Sequence, residues 1–258
     1  MFRIMWNGIS GMAAEQEKLD AISNNIANMS TTGYKSEDVG FSDLLYETLN
    51  RNGVPVTNND KNRYVGSGVK ADNWLRDKNQ GPVNNTGVNT DFCINGKGYF
   101  RVTTYDGSEA YERNGNFQIN ADGKLTDGNG NMLDVDYSVD PNTVHLTNDN
   151  FTVSRDGILS VKDDASGNYT SVGKINIYDA VGDDSMVSAG DNLFVPADGV
   201  QVFQRNDSQI EQGCLEGSNV DLGTEITDMI VAQRALEMSS KSVQTADSMW
   251  GLVNNLRR

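Results

Sequence analysis

Apolar side chains recur at a fixed interval at both ends of the chain. Met5, Met12, Leu19 and Ile26 are spaced by seven, with Ile9, Ile22 and Met29 beside them, and residues 1–30 contain no Pro. That period draws one apolar stripe along a long helix. The helix should stop near Ser30-Thr31-Thr32-Gly33, where hydroxyl side chains compete for backbone bonds and Gly33 tolerates a left-handed conformation. The far end repeats the pattern: Leu222, Met229, Leu236, Val243 and Trp250 recur every seven residues, flanked by Ile226, Ile230 and Val253. Ser218 or Asp221 is the expected N-cap, Gly223 is a weak point near the start, and Arg257 and Arg258 suit the negative end of the helix dipole.

Between these helices the period falls to two. Tyr99–Thr103, Ala110–Arg113, Phe117–Ile119, Val153–Arg155 and Ile158–Val161 alternate around Asp106-Gly107, Asn114-Gly115, Asp122-Gly123 and Asp156-Gly157. Asp-Gly and Asn-Gly predict type I′ hairpins, so residues 71–215 read as an all-β domain of short strands. In the intervening residues 34–70, Phe41, Leu44, Leu45, Tyr46 and Leu49 suggest a short helix, and the Asn-rich stretch 50–63 a loop. The expected fold is mixed α and β: long terminal helices forming a coiled coil, around a central β domain. Its segments are 1–33, 34–70, 71–215 and 216–258.

Charge narrows the function. The 258 residues carry 36 acids and 21 bases, a formal net charge of −15. Such a surface disfavours nucleic-acid backbones and anionic membranes, both of which are gripped by Lys and Arg. The charge is uneven: residues 1–33 contribute −1 and residues 216–258 −2, leaving −12 on residues 34–215. Nearly neutral helices can pack against copies of themselves, whereas a solvated outer domain tolerates repulsion. With 37% hydrophobic residues, 26 Gly and 4 Pro, tight turns should be frequent. Asn7, Gly8 and Ser10 interrupt any leader-like apolar stretch, and no apolar run approaches the ~20 residues of a membrane span.

Candidate chemistry is sparse. His145 is the lone histidine and has no nucleophile-elbow serine or cysteine to serve. Asp127-Gly128-Asn129-Gly130-Asn131 starts like a calcium loop, but Met132 and Ser138 stand where Gly and Glu are required, so a hairpin turn is expected instead. Gly96-Lys97-Gly98 lacks the third glycine of a dinucleotide fingerprint. Asp163-Asp164 and Asp183-Asp184 sit among turn formers and read as solvated loops. Cys93 and Cys214 form no zinc pattern, and pairing requires Cα atoms within about 7 Å, so two free, partly buried thiols are expected. No catalytic residue, metal ligand or cofactor site is assigned, and no enzymatic activity is expected. A secreted β-rich binding module using Trp74, Tyr99, Tyr105 or Tyr111, or a hydrolase using the acidic pairs, are the readings of other classes.

Longer motifs carry a resemblance. Asn24-Asn25-Ile26-Ala27-Asn28, followed by Thr31-Thr32-Gly33-Tyr34-Lys35, resembles the N-terminal signature of bacterial flagellar rod and hook proteins, with Thr32 where Pro is commonest. Asp91–Val102 and Glu109–Phe117 are similar to the family's first β segments. Ser218–Leu222 and Ile230-Val231-Ala232-Gln233-Arg234-Ala235-Leu236-Glu237 resemble its C-terminal signature, with Leu236 where Tyr is usual. Chain length, Asp43–Tyr46 and Ser154–Gly157 favour the distal-rod branch over the proximal-rod and hook branches.

The resemblance implies a structural subunit that assembles helically through its terminal helices and transmits torque from motor to hook. Its partners would be copies of itself, other rod and hook proteins and the flagellar type III export apparatus. It would leave the cell without a cleaved signal peptide and reside in the basal body, with no nucleic acid and no direct membrane insertion. The expected intrasubunit seam is Met5, Met12, Leu19 and Ile26 against Leu222, Met229, Leu236, Val243 and Trp250, with Ile22, Ile230 and Val253 turned to neighbours. Asn24, Asn25, Asn28 and Gln233 should fix the register.

Overall fold

A helix free of Pro forms at each end of the chain where the seven-residue period predicts it. In the computed structural model, which describes residues 2–48, 64–140, 144–162, 168–182 and 185–256, α1 spans Phe2–Ala27 and α2 spans Leu222–Leu256. Asp221, not Ser218, caps α2: its carboxylate accepts the Gly223 N–H at 3.1 Å and the Thr224 hydroxyl at 2.8 Å. The Ser218 hydroxyl instead accepts the Val220 N–H, ahead of the helix. Arg257 and Arg258 lie outside the described residues. No described helix is long and apolar enough to cross a membrane.

The chain divides into two units. The first comprises Met1–Ala27, Glu37–Leu75 and Asp221–Arg258. Within it α1 and α2 run antiparallel: Asn25 meets Glu225 at one end, and Gly8 meets Val243 toward the other. Strands Glu37–Asp43 and Val69–Arg76 pair with each other, and Val39 and Ala71 pack with Ala14 and Ala21 of α1. The short helix expected here is absent. Glu37–Asp43 and Tyr46–Thr48 are strands, because Val39 alternates with polar Asp38 and Ser42 around Gly40, a period-two pattern that a helix cannot bury. Leu44 and Leu45 link the two strands; Leu49 and the 50–63 stretch lie outside the described residues.

The second unit comprises Asn28–Ser36 and Arg76–Val220 and contains only strands and turns among its described residues. A nine-stranded antiparallel sheet contains Tyr99–Thr103 between Glu109–Glu112 and Met132–Leu133, with Ile177–Ala180 also pairing to Tyr99–Thr103. A four-stranded sheet runs in the order Val135–Tyr137, Tyr169–Ile175, Ile158–Lys162, Phe151–Val153. Phe92, Phe100, Phe117 and Phe151 fill the core with Leu125, Leu159, Ile175 and Ile210. The 127–131 segment is a hairpin turn, its Asp127 carboxylate accepting the Asn129 and Asn131 N–H groups, each at 2.8 Å.

The hairpin chemistry differs from expectation. At Asp106-Gly107, Asp122-Gly123 and Asp156-Gly157 only the glycine has positive φ, and its N–H donates to the carbonyl three residues back. These are type I turns closed by a left-handed glycine, whereas type I′ needs positive φ at both central residues. That condition is met at Asp191 and Asn192, with φ of 51° and 63°, between strands Met186–Gly190 and Leu193–Pro196. Asn114-Gly115 is no hairpin turn. A Cβ on Gly115 would stand 1.6 Å from the Phe92 carbonyl oxygen, so this glycine permits two backbones to touch.

The thiol expectation is overturned as well. Cys93 and Cys214 are disulfide-bonded, with Cα atoms 5.6 Å apart across 121 residues of sequence. Glu211 pairs in register with Cys93, and Gly213, at φ +80°, turns the chain so that Cys214 arrives beside it. Reduction, or Cys93→Ser, should lower the stability of this unit by about 2–4 kcal/mol through loss of loop closure in the unfolded chain. Urea unfolding with and without reductant reads this directly; coincident midpoints would contradict it. Asp163-Asp164 and Asp183-Asp184 lie outside the described residues.

Candidate assembly surface and its anchoring cluster

Where α1 and α2 meet, two glycines of α1 face α2. Gly8 of α1 and Ala232 and Ala246 of α2 are buried, while Ala14 and Ala21 are buried with Val39 and Ala71 of the strands. A Cβ on Gly8 would stand 2.6 Å from a Val243 methyl, and one on Gly11 3.3 Å from the Ser239 hydroxyl. Ala232, Ser239 and Ala246 keep the seven-residue period, displaced from the line of large residues. Small side chains let the two backbones approach closely.

Apart from Val243, which meets Gly8, the large apolar residues predicted for the seam are not enclosed by the two helices. Met5, Met12, Leu19 and Ile26 are half-buried, as are Met229, Leu236 and Val243. Leu222, Ile230 and Trp250 are exposed, as are Ile4, Trp6, Ile9, Ile226, Val231, Met238, Leu252 and Val253. Leu222 and Trp250 miss the expected seam because α2 has 35 residues against 26 in α1, and the Asn25–Glu225 and Gly8–Val243 meetings leave both ends of α2 overhanging. Ile22, expected to face a neighbour, is buried.

The motif residues divide by role. Asn25 is buried; its side-chain amide donates to the Glu37 carbonyl at 2.8 Å and to the Glu225 carboxylate at 2.9 Å, while its oxygen accepts the Glu37 N–H at 2.9 Å. One side chain thus joins α1, the following strand and α2. Asn28 accepts the Thr31 hydroxyl, Asn24 and Ala27 are exposed, and Tyr34 is half-buried. On α2, Gln233 and Arg234 are exposed, Arg234 paired with Glu237 at 2.9 Å, and Ala235 is half-buried.

Gly33 and Lys35 enter the second unit's polar centre. Gly33 has φ +70° and donates its N–H to the Glu216 carbonyl at 2.8 Å. The Glu216 carboxylate is shared by two cations: the Lys35 ammonium and the Arg113 guanidinium, the latter at 2.7 Å, and it also accepts the Gly81 N–H at 2.9 Å. Arg113 further donates to the carbonyls of Ile94, Gly96 and Gly98. All three charged side chains are at most 4% exposed. Burial lowers the Lys35 pKa from its usual value, against the raising pull of Glu216. Asn219 completes the centre, accepting the Ser36 N–H at 2.7 Å and donating to the Asp77 and Asn79 carbonyls. Glu216 and its pairing escape sequence reasoning because its partners lie 181 and 103 residues away. The available signal was two basic residues set among glycines in an acidic chain.

Glu112 is another buried acid of this unit, and one of its carboxylate oxygens meets no hydrogen-bond partner. Burial, with the nearby Asp127 charge adding, raises its pKa to about 8. An unfolded glutamate ionises near about 4.3, so between these values the folded chain keeps a proton that the unfolded chain has lost. Stability should therefore fall as pH rises from about 5 to 8, by at most about 1.4 kcal/mol per pH unit, and level off above. Glu112→Gln should remove that slope in urea titrations at several pH values; an unchanged slope would contradict the assignment.

Comparison with known proteins places these features in a family. Residues 5–35 match the model described as flagella basal body rod protein, residues 93–161 that of the flagellar hook protein FlgE/F/G D1 domain, and residues 211–256 that of the flagellar basal body rod FlgEFG protein C-terminal. The chain is 37% identical to the flagellar basal-body rod protein FlgG of Borreliella burgdorferi over 100% of both chains. It is 33% identical to the protein of the same name in Bacillus subtilis, again over 100% of both. Over the same full coverage it is 27% identical to the flagellar hook-basal body complex protein FlhP of Bacillus subtilis.

Proposed function

Because the chain belongs to the flagellar basal-body rod protein family and is most like FlgG, we propose that its terminal helices are the polymerising edges of a distal-type rod subunit. The chain is a structural subunit of the bacterial flagellar rod, and its place is the flagellar basal body. Its relatives are structural proteins by name, consistent with a role without catalysis. The distal type is supported by the higher identity to FlgG than to FlhP within one organism.

The observation that carries the reading is the distribution of side-chain size on α1 and α2. Gly8 and Gly11 let α1 come close to Val243 and Ser239 of α2, and large apolar residues such as Trp6, Ile9, Ile230, Val231 and Val253 stand exposed on the two helices. A run of exposed Trp, Ile, Met and Val of this extent marks an interaction surface. An open helical assembly needs two unlike faces per subunit, and the two flanks of an antiparallel helix pair are unlike. On this reading the helices act as a coiled coil within segments 1–33 and 216–258, segment 34–70 packs between subunits, and segment 71–215 stands outside. Met5, Met12, Leu19, Ile26, Leu222, Met229, Ile230, Leu236 and Trp250 are completed by other copies and by neighbouring rod and hook proteins. Torque then passes through many packed contacts per subunit. Export without a cleaved leader, through the flagellar type III apparatus, belongs to the same reading.

Electron microscopy of basal bodies from a strain lacking this chain is the test. Rods truncated at their distal part are expected; rods of full length would refute the assignment.

A further inference from the structure

Lys35 and Arg113 do more than share Glu216. Together with Lys78, Lys97, Tyr99 and Asp179 they line a cavity of about 20 Å³ in the second unit. Four bases meet here in a chain whose acids outnumber its bases 36 to 21. The one carboxylate in the lining, Asp179, is ion-paired with Arg205. Glu216 touches two cations and Asp77 adds a further negative charge near Lys35, so the four bases of the lining face Glu216, Asp77 and an Asp179 already paired with Arg205.

Donors remain for a negative partner. Lys35 gives two of its three N–H groups, to Asn79 and Glu216. Lys97 is exposed and its ammonium has no ion-pair partner among the described residues, and the Tyr99 ring is buried with its hydroxyl uncommitted to any described hydrogen bond. Burial lowers the Lys35 pKa against the raising pulls of Glu216 and Asp77. The volume admits about one water-sized oxygen. An oxygen of a carboxylate fits this volume, and the lining supplies ammonium and phenol groups of the kind that donate charge-assisted hydrogen bonds.

We propose that this cavity is a binding site for a single carboxylate or comparable small oxyanion, held by Lys97, Lys35 and Tyr99. Two sources present that chemistry: an acidic side chain of a second copy, whose residues 34–215 carry −12, and a free inorganic oxyanion. Only the first source rests on the rod reading.

Acetate and phosphate are titrated at constant ionic strength into the full-length chain, with the lysine side-chain resonances followed by NMR. Saturable shifts of Lys97 and Lys35, and a rise of the Lys35 pKa on saturation, are expected. In Lys97→Gln, which leaves the buried cluster intact, affinity should fall about tenfold. Absence of a saturable shift, or equal affinity in Lys97→Gln, would overturn the site whether or not the chain polymerises. A second arm reads the source. Acetate that inhibits polymerisation of the wild type, together with weakened polymerisation of Lys97→Gln in its absence, identifies the second copy. Acetate that binds without changing polymerisation identifies the free ion; both outcomes uphold the site.

Discussion

Glu216→Ala should cost the β-rich unit about 3–5 kcal/mol, a large part of the ~5–15 kcal/mol that holds a typical domain. The substitution strands the Lys35 and Arg113 charges, both almost wholly buried, and removes the acceptor of the Gly81 N–H. Its effect follows from what is left behind rather than from the bond removed: an unpaired charge in a low-dielectric interior has no water to turn to. Lys35→Met gives the internal control. It leaves Glu216 matched one-to-one with Arg113 and should cost much less. Urea denaturation of the two variants ranks them, and a larger loss in Lys35→Met would contradict the charge accounting.

Ile230→Asp combined with Val253→Asp should abolish rod assembly and motility while leaving the isolated chain folded. Both side chains are about half exposed in the single chain, so each change should alter its stability by no more than about 0.5 kcal/mol. In an assembled rod the same carboxylates would be buried without partners in every copy, and the penalty repeats along the tube. Circular dichroism reports the first half of the expectation and soft-agar swimming the second. Swimming cells carrying the double variant would show that these positions face solvent in the rod.

Much of this architecture was written plainly in the chain, and the exceptions share a cause. The seven-residue period located both helices because large apolar residues must leave water somewhere. It did not reveal where the helices come closest: Gly8 and Gly11 carry little hydrophobic signal, yet they are where α1 closes on Val243 and Ser239 of α2. Of the residues that periodicity placed on the seam, Val243 meets Gly8, whereas Leu222 and Trp250 are exposed. Asp-Gly pairs marked turns correctly at 106, 122 and 156 but not their type, which depends on the φ of a single residue. Asn114-Gly115 has the same letters as a turn and serves a backbone contact instead. Gly40 and the alternation around Val39 outweighed the leucines at 44 and 45, so strands replaced the short helix. The Cys93–Cys214 bond and the Lys35–Glu216–Arg113 cluster link residues more than 100 apart, at distances set by strand register that local patterns do not encode.

The central claim is that the exposed flanks of α1 and α2 are covered by other subunits in the rod. Trp6 and Trp250 report on it, being 63% and 46% exposed in the single chain. Their accessibility to a fluorescence quencher, measured in a Trp74→Phe background for the free chain and for isolated rods, compares the two states directly. Ready quenching in the free chain and strong protection in rods is the predicted result. Equal quenching in both would mean that these faces remain in water after assembly, and the account would fail.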